Sequence, residues 1–180
     1  LGPGQCLRLY SQQDFASRPQ AETPEILRRD LCDLVLHWLH LGSPDLQWLD
    51  EPPEAAWEAA LRLLEQLSAT QNGRLTRLGN AMAQLPLEPR LARFLLGYPQ
   101  RLGIRAAAWL ARGGDFRQSD LEEAMTQATP PLPEERQLRP PTEFAVSSLE
   151  EALLHAFPDR VAQVRRGQDL VMCDGSRSEE

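Results

Sequence analysis

The stretch Gly73–Leu96, GRLTRLGNAMAQLPLEPRLARFLL, holds a turn signal, a helical pattern, a proline-marked break and a second helical pattern. The Asn72-Gly73 pair just ahead of it suits a type I′ hairpin, because both central positions of that turn need positive φ. The flanking strands would be short, 69–71 and 74–76. A helix is predicted from about Arg77 to Gln84. Pro86 and Pro89 then mark a sharp break, and Pro89 opens a further helix, PRLARFLLG, closed by Gly97.

Upstream of the hairpin, QCLRLYS alternates apolar and polar residues, so Cys6 to Tyr10 reads as a short strand. Ser11 to Glu22 is polar and irregular. Thr23 then suits an N-cap, with Pro24 at the first helical position and Glu25 in the positive first turn. Leu27, Leu31, Leu34, Val35 and Trp38 recur at helical spacing as far as Gly42. A Ser-Pro-Asp turn and the apolar residues Leu46, Trp48 and Leu49 follow. Pro52 and Pro53 open the next helix, whose stripe is Trp57, Ala60, Leu61, Leu64 and Leu67.

Downstream, an Ala-rich helix is predicted from Ile104 to Arg112, stopped by Gly113-Gly114. Ser119 and Glu122 have the spacing of a capping box, as do Ser147 and Glu150. Five prolines between Thr129 and Glu143 predict an extended loop rather than regular structure. The last helix should end before Pro158. Leu170 to Ser176 reads as a strand and an Asp-Gly turn, with its partner strand expected beyond Glu180.

The whole is mostly α. Two helices, a small hairpin and another helix form a winged-helix inventory; a helical bundle follows, with short strand elements at both ends.

Composition bounds the function. A content of 42% hydrophobic and 25% charged residues reads as globular. No apolar run approaches the roughly 20 residues that span a bilayer, so no membrane is expected. The first residues lack the pattern of a signal peptide, and a segment of a longer cytoplasmic protein is expected. Cys6, Cys32 and Cys173 lack CxxC spacing, which argues against a disulfide framework or zinc site. A net charge of −7 argues against a whole-surface nucleic-acid binder. All 19 cations are arginine; that can reflect phosphate recognition or only a GC-rich genome. Without lysine there can be no P-loop, whose lysine reaches the phosphates.

Catalytic signals are absent. Asp33, His37 and His40 share one helical face at metal-ligand spacing, but solvated residues give the same pattern, so no metal is assigned. Paired carboxylates such as Glu122-Glu123 and Glu150-Glu151 fit helix N-termini. No GxSxG motif occurs, and His155 has no nucleophile near it in sequence. Nucleic-acid contact has more support. Arg74 and Arg77 flank the hairpin, while Arg90, Arg93, Arg101 and Arg105 lie on two successive helices, with Arg90 and Arg93 sharing a face. Such a group could track phosphates, and replacing Arg90 and Arg93 together is expected to flatten the salt dependence of binding.

The opening stretch resembles the segment of DEAH-box helicases that joins the winged helix to the helical-bundle, or ratchet, domain. The family pattern G-x-L-T-x-L-G-x-x-M-A-x-L-P-L-x-P-R-L-A-R-x-L-L is matched from Gly73 to Leu96. CLRLYSQQDF resembles the strand leaving the second RecA-like domain. PEILRRDLCDLVLHWLHLG resembles the first winged-helix helix, LQWLDEPPEAAWEAALRLLEQL fits the next part, and HAFPDRVAQVRRGQDLVMCDGS is similar to the lead-in to the C-terminal domain of HrpB-type helicases. The likeness is weakest from Gly113 to Val146. Ser68 and Thr70 stand where Gly and Leu are common, and GGDF at 113–116 replaces an Asp-Pro-Leu-like turn.

The resemblance implies residues 1–22 leaving the motor, a winged helix at 23–86, a helical bundle at 87–158 with the Pro-rich loop at 129–143, and a truncated start of the next domain at 159–180. It implies a non-catalytic accessory region of an ATP-dependent RNA helicase, packed on RecA-like domains of the same parent chain and helping to enclose a single strand. ATP and Mg2+ would belong to the parent; this region should hold no cofactor and hydrolyse no ATP. A protein-docking scaffold without nucleic-acid contact is the alternative. An independent DNA-binding winged helix is another, but its reading helix would present the outward residues Glu54, Glu58, Arg62, Glu65 and Gln66, too acidic for a major groove.

Overall fold

The structure is a computed structural model that describes residues 2–19, 21–113, 133–164, 170–172 and 177–178. The order of elements is α1 (Gln12–Ser17), a 3-10 turn (Glu25–Leu27), α2 (Cys32–His40), α3 (Glu54–Gln66), β1 (Thr70–Gln71), β2 (Arg74–Leu75), α4 (Arg77–Ala83), α5 (Pro89–Gly97) and α6 (Arg101–Ala111). A second 3-10 turn (Pro133–Arg136), α7 (Leu149–Ala156), a third 3-10 turn (Pro158–Arg160) and strands β3 (Ala162–Val164), β4 (Leu170–Met172) and β5 (Arg177–Ser178) complete the described chain. The chain is mostly helical, as expected.

The hairpin forms as its sequence dictates. Asn72 and Gly73 take φ of 52° and 71°, and Thr70 pairs with Leu75 and Gln71 with Arg74. Thr76 then locks the wing to α4. Its hydroxyl donates to the Ser68 carbonyl at 2.8 Å and accepts from the Gly79 amide at 3.0 Å, capping the helix. Gly79 lets that helix lie flat on the strand: a Cβ there would sit 2.0 Å from the Ala69 carbonyl oxygen. Leu-Thr-x-Leu-Gly is therefore a joint between hairpin and helix.

α2 and α3 pack together through Val35 and Leu36 on one side and Ala60 and Leu64 on the other. α5 is the centre. Every residue of it except Arg90 is buried, because it packs against α2, α4, α6 and α7 at once. A helix apolar around most of its circumference belongs in a core. One continuous cluster of buried side chains runs from Leu31, just before α2, to Ala156 on α7 and crosses the expected 86/87 division.

Several local expectations shift. Residues 6–10 form no strand; Leu7 and Leu9 are exposed, and no described residue pairs with them. A strand needs a neighbour to satisfy its amides. The stretch expected to be irregular contains α1, capped by Ser11 accepting from the Asp14 amide. The helix expected from Thr23 begins instead as a 3-10 turn, and α2 starts at Cys32, whose amide donates to Asp30 Oδ1 at 2.7 Å. The α6 helix starts three residues early, at Arg101. The expected Ser147/Glu150 box forms one residue later: Ser148 Oγ accepts from the Glu151 amide and Glu151 Oε2 from the Ser147 amide. The Pro-rich loop contains the 3-10 turn at Pro133–Arg136. β4 finds partners within the chain, pairing antiparallel with β3 and β5, not beyond residue 180. The Ser119/Glu122 box and the Gly114–Phe116 part of the GGDF departure lie outside the described residues.

Candidate nucleic-acid interface

The six arginines singled out from sequence split by environment. Arg74 on the hairpin and Arg101 at the start of α6 are exposed. Arg77 opens α4 with its side chain 84% exposed, and Nη2 donates to Glu143 Oε2 at 2.7 Å. These three present cationic groups to solvent.

The other three turn inward. Arg90 Nη1 and Nη2 donate to the two carboxylate oxygens of Asp159 at 2.6 and 2.7 Å, and Nη1 also reaches the Ala156 carbonyl at 3.2 Å. That bidentate pair clamps the start of α5 to the end of α7, and its hydrogen bond holds the Asp159 carboxyl below its ordinary range. Arg93 is only 8% exposed. Its Nε and Nη1 are buried without a hydrogen-bond partner among the described residues. Burial lowers its pKa by disfavouring the charged form. Its guanidinium passes near Gly97. Arg105, 15% exposed, faces Glu135 at 3.9 Å. Arg90 and Arg93 share a helix, as expected, but neither guanidinium lies on an open face of it.

The two histidines of α2 have structural partners. His37 Nδ1 lies 2.9 Å from the Asp33 carbonyl and His40 Nδ1 3.1 Å from Asn80 Oδ1. His155 Nδ1 is buried, without a hydrogen-bond partner among the described residues. Along α3 the outward Glu54, Glu58, Glu65 and Gln66 are exposed, and Arg62 pairs back to Glu58 at 3.4 Å, so that face stays acidic.

A cleft of about 680 Å3 lies between the first 3-10 turn, α2 and the start of α5. Its wall mixes charges: Asp30, Asp33 and Glu88 against Arg29, Arg90 and Arg160. Cys32 opens there, but burial pushes its thiol up to about 12, so it is neutral and a poor nucleophile at pH 7. Sequence reasoning missed this cleft because its wall is drawn from separate parts of the chain.

Comparison with known proteins adds the family. Residues 60–87 match the helicase associated domain (HA2), winged-helix family. The ATP-dependent RNA helicase HrpB of Escherichia coli is 35% identical over 94% of this chain, which spans 22% of that relative. The HrpA homolog of Haemophilus influenzae is 42% identical over 53% of the chain and 8% of the relative. Two crystal structures of E. coli HrpB superpose with TM-scores of 0.71 and 0.72 at 31% and 29% identity, covering 93% of this chain and 22% and 23% of theirs. The chain thus spans about a fifth of the length of its HrpB relative. No helix among the described residues is long and apolar enough to cross a membrane. The residues on either side of the Thr76–Gly79 joint, and the helices that pack on them, are homologous to the helicase-associated region of HrpB- and HrpA-type DEAH-box helicases, and the chain belongs with that region.

Proposed function

We propose that this chain is the non-catalytic accessory region of an ATP-dependent RNA helicase. It packs on the RecA-like motor domains of the same parent chain and helps to enclose a single strand, with ATP and Mg2+ held by the motor. That role places it in the cytoplasm. Homology to HrpB carries this reading. The division into an exit segment at 1–22, a winged helix at 23–86, a bundle at 87–158 and the start of a further domain at 159–180 belongs to the same proposal.

Within it, Arg74, Arg77 and Arg101 make the phosphate contacts, because only exposed guanidiniums can exchange counterions for phosphate. Arg90, Arg93 and Arg105 serve instead to hold α5 and α6 in place. The inward turn of three of the six candidate arginines also favours the second reading, a docking scaffold without RNA contact. Photocrosslinking of 4-thiouridine-substituted single-stranded RNA separates the two. Adducts mapping to residues 70–77 and 98–102 are expected; adducts confined to other segments would refute the assignment of these arginines, and none at all would favour docking alone.

A further inference from the structure

Away from the arginines, the loop joining α2 to α3 gathers three of the four tryptophans. Trp38 and Trp57 meet edge-on at 5.2 Å between ring centroids, and Trp48 meets Trp57 at 6.2 Å in the same manner. Trp38 Nε1 donates to the Pro44 carbonyl at 3.0 Å, which fixes the loop against the helix. With Leu46 and Pro52 these residues line a pocket of about 380 Å3. The three rings are half-buried. Leu49, next to Trp48 in sequence, is 99% exposed.

Charge around this pocket is one-sided. From Ser43 to Leu61 the chain carries Asp45, Asp50, Glu51, Glu54 and Glu58 and no cation. Glu58 is paired with Arg62, and Glu54 complements the N-terminus of α3. Asp45, Asp50 and Glu51 precede the helix and form no ion pair among the described residues. Indole faces attract cations through their quadrupole, and the carboxylates add to that attraction while repelling phosphate. A pocket walled by tryptophan, with Asp45 in its wall and Asp50 and Glu51 on the adjoining loop, is complementary to one chemistry.

We propose that this pocket docks a cationic segment of a protein partner, with an arginine or lysine side chain laid against the tryptophan rings. The site is separate from the exposed arginines and stands whether or not they contact RNA. Trp48 is the recognition ring: it meets Trp57 edge-on, lies outside the set packed on the core and also borders the neighbouring cleft.

The test uses the whole 180-residue chain and a fluorescein-labelled arginine–glycine repeat peptide, followed by anisotropy. Salt-sensitive binding is expected, weakened about tenfold by Trp48→Ala, as loss of a desolvated cation–π contact implies. Asp45→Asn/Glu51→Gln, both exposed, should weaken it several-fold. That variant decides the matter if Trp48→Ala fails to fold by circular dichroism. A peptide with citrulline in place of arginine should bind poorly. The proposal is overturned by absence of peptide binding, by affinity unchanged in the variants, by equal binding of the citrulline peptide, or by single-stranded RNA binding that Trp48→Ala abolishes.

Discussion

The hairpin with α4 and the helix α5 are neighbours within one continuous motif, and both carry two arginines. At the hairpin, Arg74 is exposed on β2, and Arg77, at the first position of α4, has a side chain 84% exposed. In α5, packed by four other helices, Arg90 is tied to Asp159 and Arg93 is buried. The same residue type is a surface charge in one element and a fixture in the other, because packing and not residue identity decides which way a long side chain points. Arginine suits both tasks: its planar fork can grip one carboxylate bidentately or meet a phosphate.

The largest expected effect is at the joint between these regions. Gly79→Ala drives a methyl into the Ala69 carbonyl and should cost about 3 kcal/mol, the upper range for overpacking, measured by urea denaturation. A loss under 0.5 kcal/mol would mean that α4 does not lie against the strand.

Next comes the clamp. Arg90→Ala should cost about 2 kcal/mol at pH 7, since it removes both guanidinium hydrogen bonds to the Asp159 carboxylate and the one to the Ala156 carbonyl. The sign with pH is fixed by Asp159, whose carboxyl is held below its usual 3.8 by the Arg90 hydrogen bond. Its contribution is present above that usual value and is lost as pH falls through the lower folded-state value. The deficit of the variant should therefore persist at neutral pH and shrink as pH falls below about 3.8. A deficit that grows with acid would show that the pair does not form.

A smaller effect of opposite sign is expected at Ser68. Its φ of 58° lies in the left-handed region, where glycine is free of the Cβ penalty. Ser68→Gly should stabilise the chain by roughly 0.5–1 kcal/mol, detectable as a raised Tm. An unchanged or lowered Tm would place the strain elsewhere. This position also explains why glycine is common there in the resembling family.

Much of the fold was legible in punctuation. Asn72-Gly73, Pro53 and Pro89 each demand a backbone geometry that few contexts supply, so the hairpin and the starts of α3 and α5 lie where local chemistry puts them. Boundaries set by side-chain capping were less clear. Asp30 delays α2 by catching the Cys32 amide, and Ser148 takes the cap from Ser147. The inward arginines were not legible at all, because Asp159 is 69 residues from Arg90. A helical wheel of α5 shows two arginines on one face but not the helix that covers it. The residues at 6–10 fail for a related reason: alternation specifies a strand's faces, while pairing comes from a neighbour.

The distinction between outward and inward arginines is tested most directly by the salt dependence of single-stranded RNA binding. Phosphate contact on single strands gives a slope of log K on log salt of about −0.7 per neutralised phosphate. Intact chain should thus show a slope near −2 if Arg74, Arg77 and Arg101 each meet one phosphate. Replacing those three by alanine should bring the slope close to zero while stability changes by less than about 0.5 kcal/mol. Arg90→Ala/Arg93→Ala should lower stability yet leave the slope of the remaining folded chain unchanged. The opposite result, a slope lost with the α5 pair and kept without the three exposed arginines, would contradict the account.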